Sequence, residues 1–248
     1  MWEYRYTEDC ILKDKCPLKC SPSCTIQPEL YYLLENSNIP KRYIKPKTLH
    51  PIPTDYDVFC VLRDIQEDIE VFVQEGRILY LWGNSGGNGK TTFACKILKT
   101  YLLMKCMGNG FKDLAWFEYT PSFLLLAKNF EDKETRQEHI NNLATRDLVV
   151  IDDIGAIRNT QYDIAVLSDI INTRYSKGLA TIYTSNLSPD DLQIDERLKD
   201  RMASDIVLEI KGDSHRNSTS SYQRLEAGES VVSSGVSNSV QASRRKRF

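Results

Sequence analysis

Lys90-Thr91-Thr92 follows a glycine-rich run, Gly83-Asn84-Ser85-Gly86-Gly87-Asn88-Gly89, and further along the chain an apolar run ends in two acids, Asp152-Asp153. Glycines let consecutive backbone N–H groups curl around a polyphosphate, a helix N-terminus adds positive dipole, and a lysine reaches the outer phosphates. Gly87, Gly89 and Lys90 supply these parts, Asn84, Ser85, Gly86, Asn88 and Thr92 complete the cradle, and the Thr91 hydroxyl is placed to ligate magnesium. The run departs from G-x-x-x-x-G-K-[ST], because Asn84 holds the first position and Gly83 lies one residue earlier. Either the loop is one residue longer, or Asn84 takes a positive φ, which asparagine tolerates better than most residues. A glycine-rich turn that binds nothing would leave a lysine and two threonines at a helix start unexplained.

The acids belong to Asp147-Leu148-Val149-Val150-Ile151-Asp152-Asp153-Ile154-Gly155. Consecutive apolar β-formers suit a strand buried on both faces, and the acids fall where a parallel strand's C-terminal end meets a ligand crevice. Beside a phosphate loop, Asp152 would hold magnesium and Asp153 would orient or deprotonate an attacking water. Ser185-Asn186 ends a later strand, where the amide can hydrogen-bond the water or the γ phosphate.

A second cluster lies at the N-terminus, where Cys10, Cys16, Cys20 and Cys24 follow the spacing C-x5-C-x3-C-x3-C. Four thiolates satisfy a tetrahedral zinc ion, and a segment so short of apolar residues needs such a staple. An iron–sulfur cluster uses the same ligand type. Free or redox-labile thiols are the remaining alternative.

Positioning these groups requires alternating strands and helices. The sequence predicts strands at 78–82, 114–119, 148–151, 179–184 and 206–210. Between them run a helix from Lys90 to about Cys106, one opening at Thr120-Pro121, a solvated helix in the polar run 131–142, and one over 163–175. Another helix is expected to open at Pro189-Asp190-Asp191-Leu192 and to carry Arg197 and Arg201. Upstream, a short helix begins at Pro28, residues 38–55 with four prolines read as an extended, turn-rich linker, and Asp57–Glu75 as a single amphipathic helix. The basic residues of the linker are either solvated charge, a wall of an adenine pocket or a contact to DNA. With the phosphate loop after the first strand and the acids after the third, the elements suggest a parallel sheet of order 5-1-4-3-2.

The chain has 248 residues, 41% of them hydrophobic and 27% charged, which suits a globular domain with appendages. A net charge of -2 provides no global attraction to nucleic acid or membrane, so any such contact must be local. No apolar run reaches membrane-spanning length and the N-terminus is not a secretory signal, so a cytoplasmic location without membrane association is expected and disulfides are not. Beyond Arg216 the composition turns to serine, asparagine, valine and glycine, ending in the basic run Arg244-Arg245-Lys246-Arg247. Such a tail is expected to be disordered.

The acid-bearing strand, together with Thr184-Ser185-Asn186-Leu187, Asp195-Glu196-Arg197-Leu198-Lys199-Asp200-Arg201-Met202 and Gly212-Asp213-Ser214-His215-Arg216, resembles the DnaC/DnaI helicase loaders of the AAA+ class. The resemblance covers roughly residues 37–216 and implies an α/β P-loop AAA+ core. The chain left after the fifth strand is too short and polar for a full helical lid. The implied organisation is a Cys-rich, metal-binding helicase-interaction domain at 1–36, a linker at 37–56, an ATPase domain at 57–216 and the tail at 217–248. By the same resemblance Lys90 and Thr91 match the Walker A pair, Asp152 and Asp153 the Walker B acids, and Asn186 sensor 1. Arg201 matches the arginine finger, Arg197 the basic residue before it, and Arg216 a partial sensor 2. It implies a slow, magnesium-dependent ATPase of phage or mobile-element type that self-assembles through ATP in a bacterial host cytoplasm. Such a protein places a hexameric replicative DNA helicase on single-stranded DNA. An IstB-like ATPase that assists a DNA transposase shares the core motifs, and a nucleotide-dependent binding module without turnover is a third reading.

Overall fold

A computed structural model describes Cys24 and residues 26–44, 52–107, 114–128, 133–156 and 160–212. Cys10, Cys16, Cys20 and Arg216, the linker lysines Lys45 and Lys47, and the C-terminal tail lie outside the described residues.

Five parallel strands form one sheet: β1 (Ile78–Trp82), β2 (Ala115–Tyr119), β3 (Leu148–Asp152), β4 (Ala180–Ser185) and β5 (Ile206–Glu209). Their order, β2-β3-β4-β1-β5, is the predicted one. β1 lies between β4 and β5, with Leu81 opposite Thr184 on one side and Leu208 on the other. β2 pairs with β3, bringing Tyr119 level with Asp152.

The side chains of a strand alternate between faces, and the core divides accordingly. Leu79, Leu81, Leu148, Val150, Ala180 and Ile182 pack into one cluster, with Phe93, Ile97, Leu98 and Tyr101 of α5 (Lys90–Met107). The same cluster takes Leu30, Leu33 and Leu34 of α1 (Ile26–Glu35), Leu62 and Ile65 of α3 (Tyr56–Glu67) and Ile69 and Phe72 of α4 (Ile69–Gln74). Ile78, Tyr80, Val149, Ile151 and Tyr183 face the other cluster. That cluster holds α6 (Thr120–Lys128), α7 (Lys133–Thr145), α8 (Gln161–Ser176) and α9 (Glu196–Met202). α5 lies between the sheet and the N-terminal helices, which is why its apolar residues run nearly all the way round it.

Four local expectations change. The predicted helix 57–75 is two helices broken at Asp68, where φ is −104° and ψ is 33°, so that both halves turn apolar residues to the core. The N-terminal helix starts at Ile26 and takes Pro28 into its first turn, where a missing N–H is tolerated. The linker has the expected turn at Pro53–Asp55, a 3-10 turn, but Lys41–Ile44 forms a short helix, α2, instead of extended chain. Finally, Pro189 to Leu192 is a turn. The Ser188 hydroxyl donates to Asp191 Oδ2 at 2.7 Å and accepts from the Asp191 N–H at 3.2 Å, a local closure that competes with helix. Helix α9 begins only after Asp195, whose carboxylate accepts from the Arg197 N–H at 2.9 Å.

Candidate functional site

The loop between β1 and α5 crosses the C-terminal ends of the strands. Gly87 and Gly89 have φ of 94° and 107°, positive values that a tight loop takes most readily at glycine. Asn84 does not, because among the described residues positive φ outside glycine occurs only at Asn38 and Asp153. The first glycine's place belongs to Gly83: a Cβ there would sit 2.2 Å from the Ile210 carbonyl oxygen and 2.7 Å from Asn88 Nδ2. The loop is therefore one residue longer than the common pattern, and the close approach of the β5 end requires the glycine.

Lys90, only 7% exposed, bends back into the loop. Its ammonium donates to the carbonyls of Gly83 at 2.7 Å and Ser85 at 3.0 Å, and to Asn88 Oδ1 at 3.0 Å. Asn88 is buried and donates through Nδ2 to the Ile210 carbonyl at 3.1 Å, tying the loop to the end of β5. The residues after β5 are tied in turn, since the Asp55 carboxylate accepts from the N–H groups of Lys211 and Gly212, both at 2.9 Å.

Asp152 Oδ1 accepts from the Thr91 hydroxyl at 2.7 Å and from the Thr184 hydroxyl at 2.6 Å. Thr184 also accepts from the Asp153 N–H at 3.0 Å, so one side chain of β4 orients both acids. Burial pushes the Asp152 carboxyl above the usual carboxylate range, with hydrogen bonds from Thr184 and Thr91 opposing the shift. Burial also raises Asp153, with the Lys90 charge opposing. Asp153 has φ of 58°, a conformation that aspartate tolerates better than most residues, and its Oδ1 accepts from Asn186 Nδ2 at 3.1 Å. Strain of this kind persists where surrounding structure enforces it.

Lys90, Thr91, Asp152, Asp153 and Asn186 are thus brought together. The donors suit the groups implied for them. A buried ammonium beside a tight glycine loop at a helix start matches a triphosphate, and the oxygen donors of Thr91 and Asp152 match magnesium, a hard cation. Arg197 and Arg201 are not brought to this site. Arg197 is exposed, whereas the Arg201 guanidinium bonds Asn172 and lies 5.4 Å over the Tyr175 ring, both on α8. Among the described residues no group of three His, Cys, Asp or Glu could hold a metal, and Cys24 is the one member of the cysteine cluster that is described.

Two residues not singled out by sequence complete the site. Thr184 was legible as part of a strand and of the run Thr184–Leu187 but with no role of its own; that role follows from the adjacency of β3 and β4. Tyr43 of α2 lies within the field of Asp152: burial raises its phenol, with the Arg42 charge opposing and the Asp152 charge adding to the shift. No sequence spacing signals it.

A family model described as "IstB-like ATP binding protein" matches residues 63–223, which takes in the loop, both acids, Asn186 and α9. The chain belongs to this family. The IstB-like chain is also 29% identical over 123 residues to the replicative helicase loader DnaI of Bacillus subtilis (strain 168), covering 48% of this chain and 36% of that protein. It is 33% identical over 92 residues to the replicative helicase loader DnaC of Buchnera aphidicola subsp. Baizongia pistaciae (strain Bp), covering 36% of this chain and 37% of that protein. These matches thus span little more than a third of the relatives' own lengths. Among solved structures, the crystal structure of the DnaC helicase loader superposes with a TM-score of 0.58 at 24% identity. That superposition covers 69% of this chain and all of the other, a likeness of fold.

Proposed function

We propose that this IstB-like chain is an ATP-dependent loader that binds a hexameric replicative helicase and delivers it to single-stranded DNA. The observation that carries the reading is the convergence of Lys90, the Thr91–Asp152 pair and the Asp153–Asn186 pair at the ends of β1, β3 and β4. The partner is proposed from the names of the two relatives.

In this reading Lys90 leaves its loop acceptors to neutralise phosphate charge, and the N–H groups around Gly87 and Gly89 cradle the remainder. Thr91 and Asp152 hold magnesium, which supplies charge stabilisation to a transferring phosphoryl group. Asp153 orients the attacking water and Asn186 fixes the Asp153 carboxylate. Arg201 lies outside its own site, so its catalytic reading requires a neighbouring subunit, with Arg197 beside it on the exposed face of α9. Slow hydrolysis suits a switch that times helicase release. The core is proposed to occupy 57–216, with the helicase-interaction domain at 1–36 and Arg216 near the nucleotide.

The four cysteines of that N-terminal domain are proposed to hold zinc. Metal analysis of protein purified without added zinc is expected to find about one equivalent. Less than about half an equivalent of zinc or iron would remove the metal from the proposal.

Native mass spectrometry of the chain with the host replicative helicase, with and without ATP and magnesium, tests the main reading. Several copies of the chain per helicase hexamer are expected. No complex in any nucleotide state would shift the reading to an ATPase that assists a DNA transposase, a reading that the family description also fits.

A further inference from the structure

The 3-10 turn Pro53–Asp55, closed by the Asp55 N–H to the Ile52 carbonyl at 3.0 Å, sets Asp55 at the N-cap of α3. An aspartate in that place ordinarily accepts from an N–H of the helix's first turn. Asp55 makes no such bond. Its buried carboxylate is turned instead to the chain leaving β5, where Oδ1 accepts from the Lys211 N–H and Oδ2 from the Gly212 N–H, both at 2.9 Å. A Cβ at Gly212 would sit 2.8 Å from Asp55 Oδ2, so this approach requires the glycine. A carboxylate that gives up its own helix cap for two successive backbone groups far along the chain fixes the course of that backbone.

The Ile210–Lys211 peptide is held from both sides. Its N–H donates to Asp55, and its carbonyl accepts from Asn88 Nδ2 at 3.1 Å. In a trans peptide these two groups point in opposite directions. The bond from the Ile210 N–H to the Trp82 carbonyl, at 2.7 Å, orients the peptide before this one, so the 210–211 peptide takes its orientation from Asp55 and Asn88. Asn88 Oδ1 accepts in turn from Lys90 at 3.0 Å. A carboxylate, a peptide, a side-chain amide and an ammonium thus stand in line, each donor on the next acceptor and opposite charges at the two ends. Hydrogen bonds chained in this way polarise and strengthen one another.

We propose that Asp55 is a positioning residue for the phosphate loop: it fixes the Ile210–Lys211 peptide, whose carbonyl holds Asn88 and with it the backbone between Gly87 and Gly89. Asp55 acts through Asn88 and not on the phosphates. This inference rests on the reading of the loop and Lys90 as a triphosphate site.

The test is a double-mutant cycle on the full chain, read as calorimetric affinity for a non-hydrolysable ATP analogue with magnesium, beside a urea unfolding curve for each variant. Asp55→Asn keeps the shape but offers one acceptor to two N–H groups and sets its own NH2 against the second. It is expected to weaken binding about five-fold in the parent chain, the scale of one net hydrogen bond. In Asn88→Ala, where the route to the loop is already cut, the same change is expected to weaken binding less than about two-fold. Gly212→Ala crowds the carboxylate without changing its charge and is expected to show the same dependence on Asn88, so the cycle can be completed even if Asp55→Asn does not fold. Equal losses of affinity with and without Asn88 would overturn the proposal, because Asp55 would then act by another route. Unchanged affinity in a folded Asp55→Asn chain would also overturn it and leave the triphosphate reading intact. Failure of the parent chain to bind the analogue at all would overturn both.

Discussion

Asn88 joins the phosphate loop to the rest of the molecule, and replacing it by alanine separates loop order from loop composition. Its Nδ2 bond to the Ile210 carbonyl is neutral and buried, worth about 1 kcal/mol net; its Oδ1 bond from Lys90 is charge-assisted, worth roughly 1.5–3 kcal/mol. The bond to Ile210 holds the loop whatever Lys90 does, whereas Lys90 is expected to exchange Asn88 for phosphate. The loss in binding therefore comes from the neutral bond acting through loop order, about 5-fold, because the Lys90 bond to Asn88 is given up on binding. Asn88→Asp keeps an acceptor for Lys90, but it faces the Ile210 carbonyl with oxygen and adds negative charge beside the phosphates, so it should bind more weakly than Asn88→Ala. Calorimetric titration with the ATP analogue and magnesium, beside a urea unfolding curve for each variant, measures both consequences. Affinity of Asn88→Ala within two-fold of the parent would refute the idea that the tie to β5 preorganises the loop. So would Asn88→Asp binding more tightly than Asn88→Ala.

Lys90→Ala is expected to abolish nucleotide binding, and Arg201→Ala to abolish hydrolysis while leaving binding in place. If the arginine acts across subunits, an equal mixture of the two variants should recover about a quarter of parental hydrolysis by random pairing, and no recovery would place Arg201 outside the chemistry. Arg174, fully buried, donates to the carbonyls of Leu143, Arg146 and Ala180 and to the Thr181 hydroxyl. Arg174→Met should lower unfolding free energy by at least about 3 kcal/mol in urea titration, since it orphans buried acceptors. His139 is held above the ordinary imidazole range chiefly by its 2.7 Å bond to the buried Glu118, with burial opposing. A raised folded-state value means the contact stabilises fully below the unfolded value of about 6.5 and is lost as pH rises through the folded one. The urea midpoint should therefore fall from about pH 6.5 upward, and His139→Gln should flatten that slope.

The chemistry of this chain was written in local patterns. Glycines at 87 and 89 ahead of Lys90-Thr91, and four apolar residues before Asp152-Asp153, each need only a few consecutive positions to declare a loop or a buried strand. Alternation of such strands with helices then restricts the sheet, and the predicted order matches the observed one. Side-chain competition was less legible. The Ser188–Asp191 closure that delays α9 to Glu196, and the break at Asp68, depend on contacts that periodicity does not weigh.

What the tertiary structure alone decided are the contacts between residues far apart in sequence. It settles whether Gly83 or Asn84 carries the first glycine's role, because the deciding atom is the Ile210 carbonyl just past β5. It joins Thr184 to both acids, since β3 and β4 are neighbours in the sheet though not in the chain. It also fastens α2 to α5, by anchoring two linker carbonyls to Lys99. A sequence specifies which groups are available and which short elements present them. Which of them meet depends on how the sheet orders its strands and on where a linker finds partners for its backbone, and both are properties of the assembled fold.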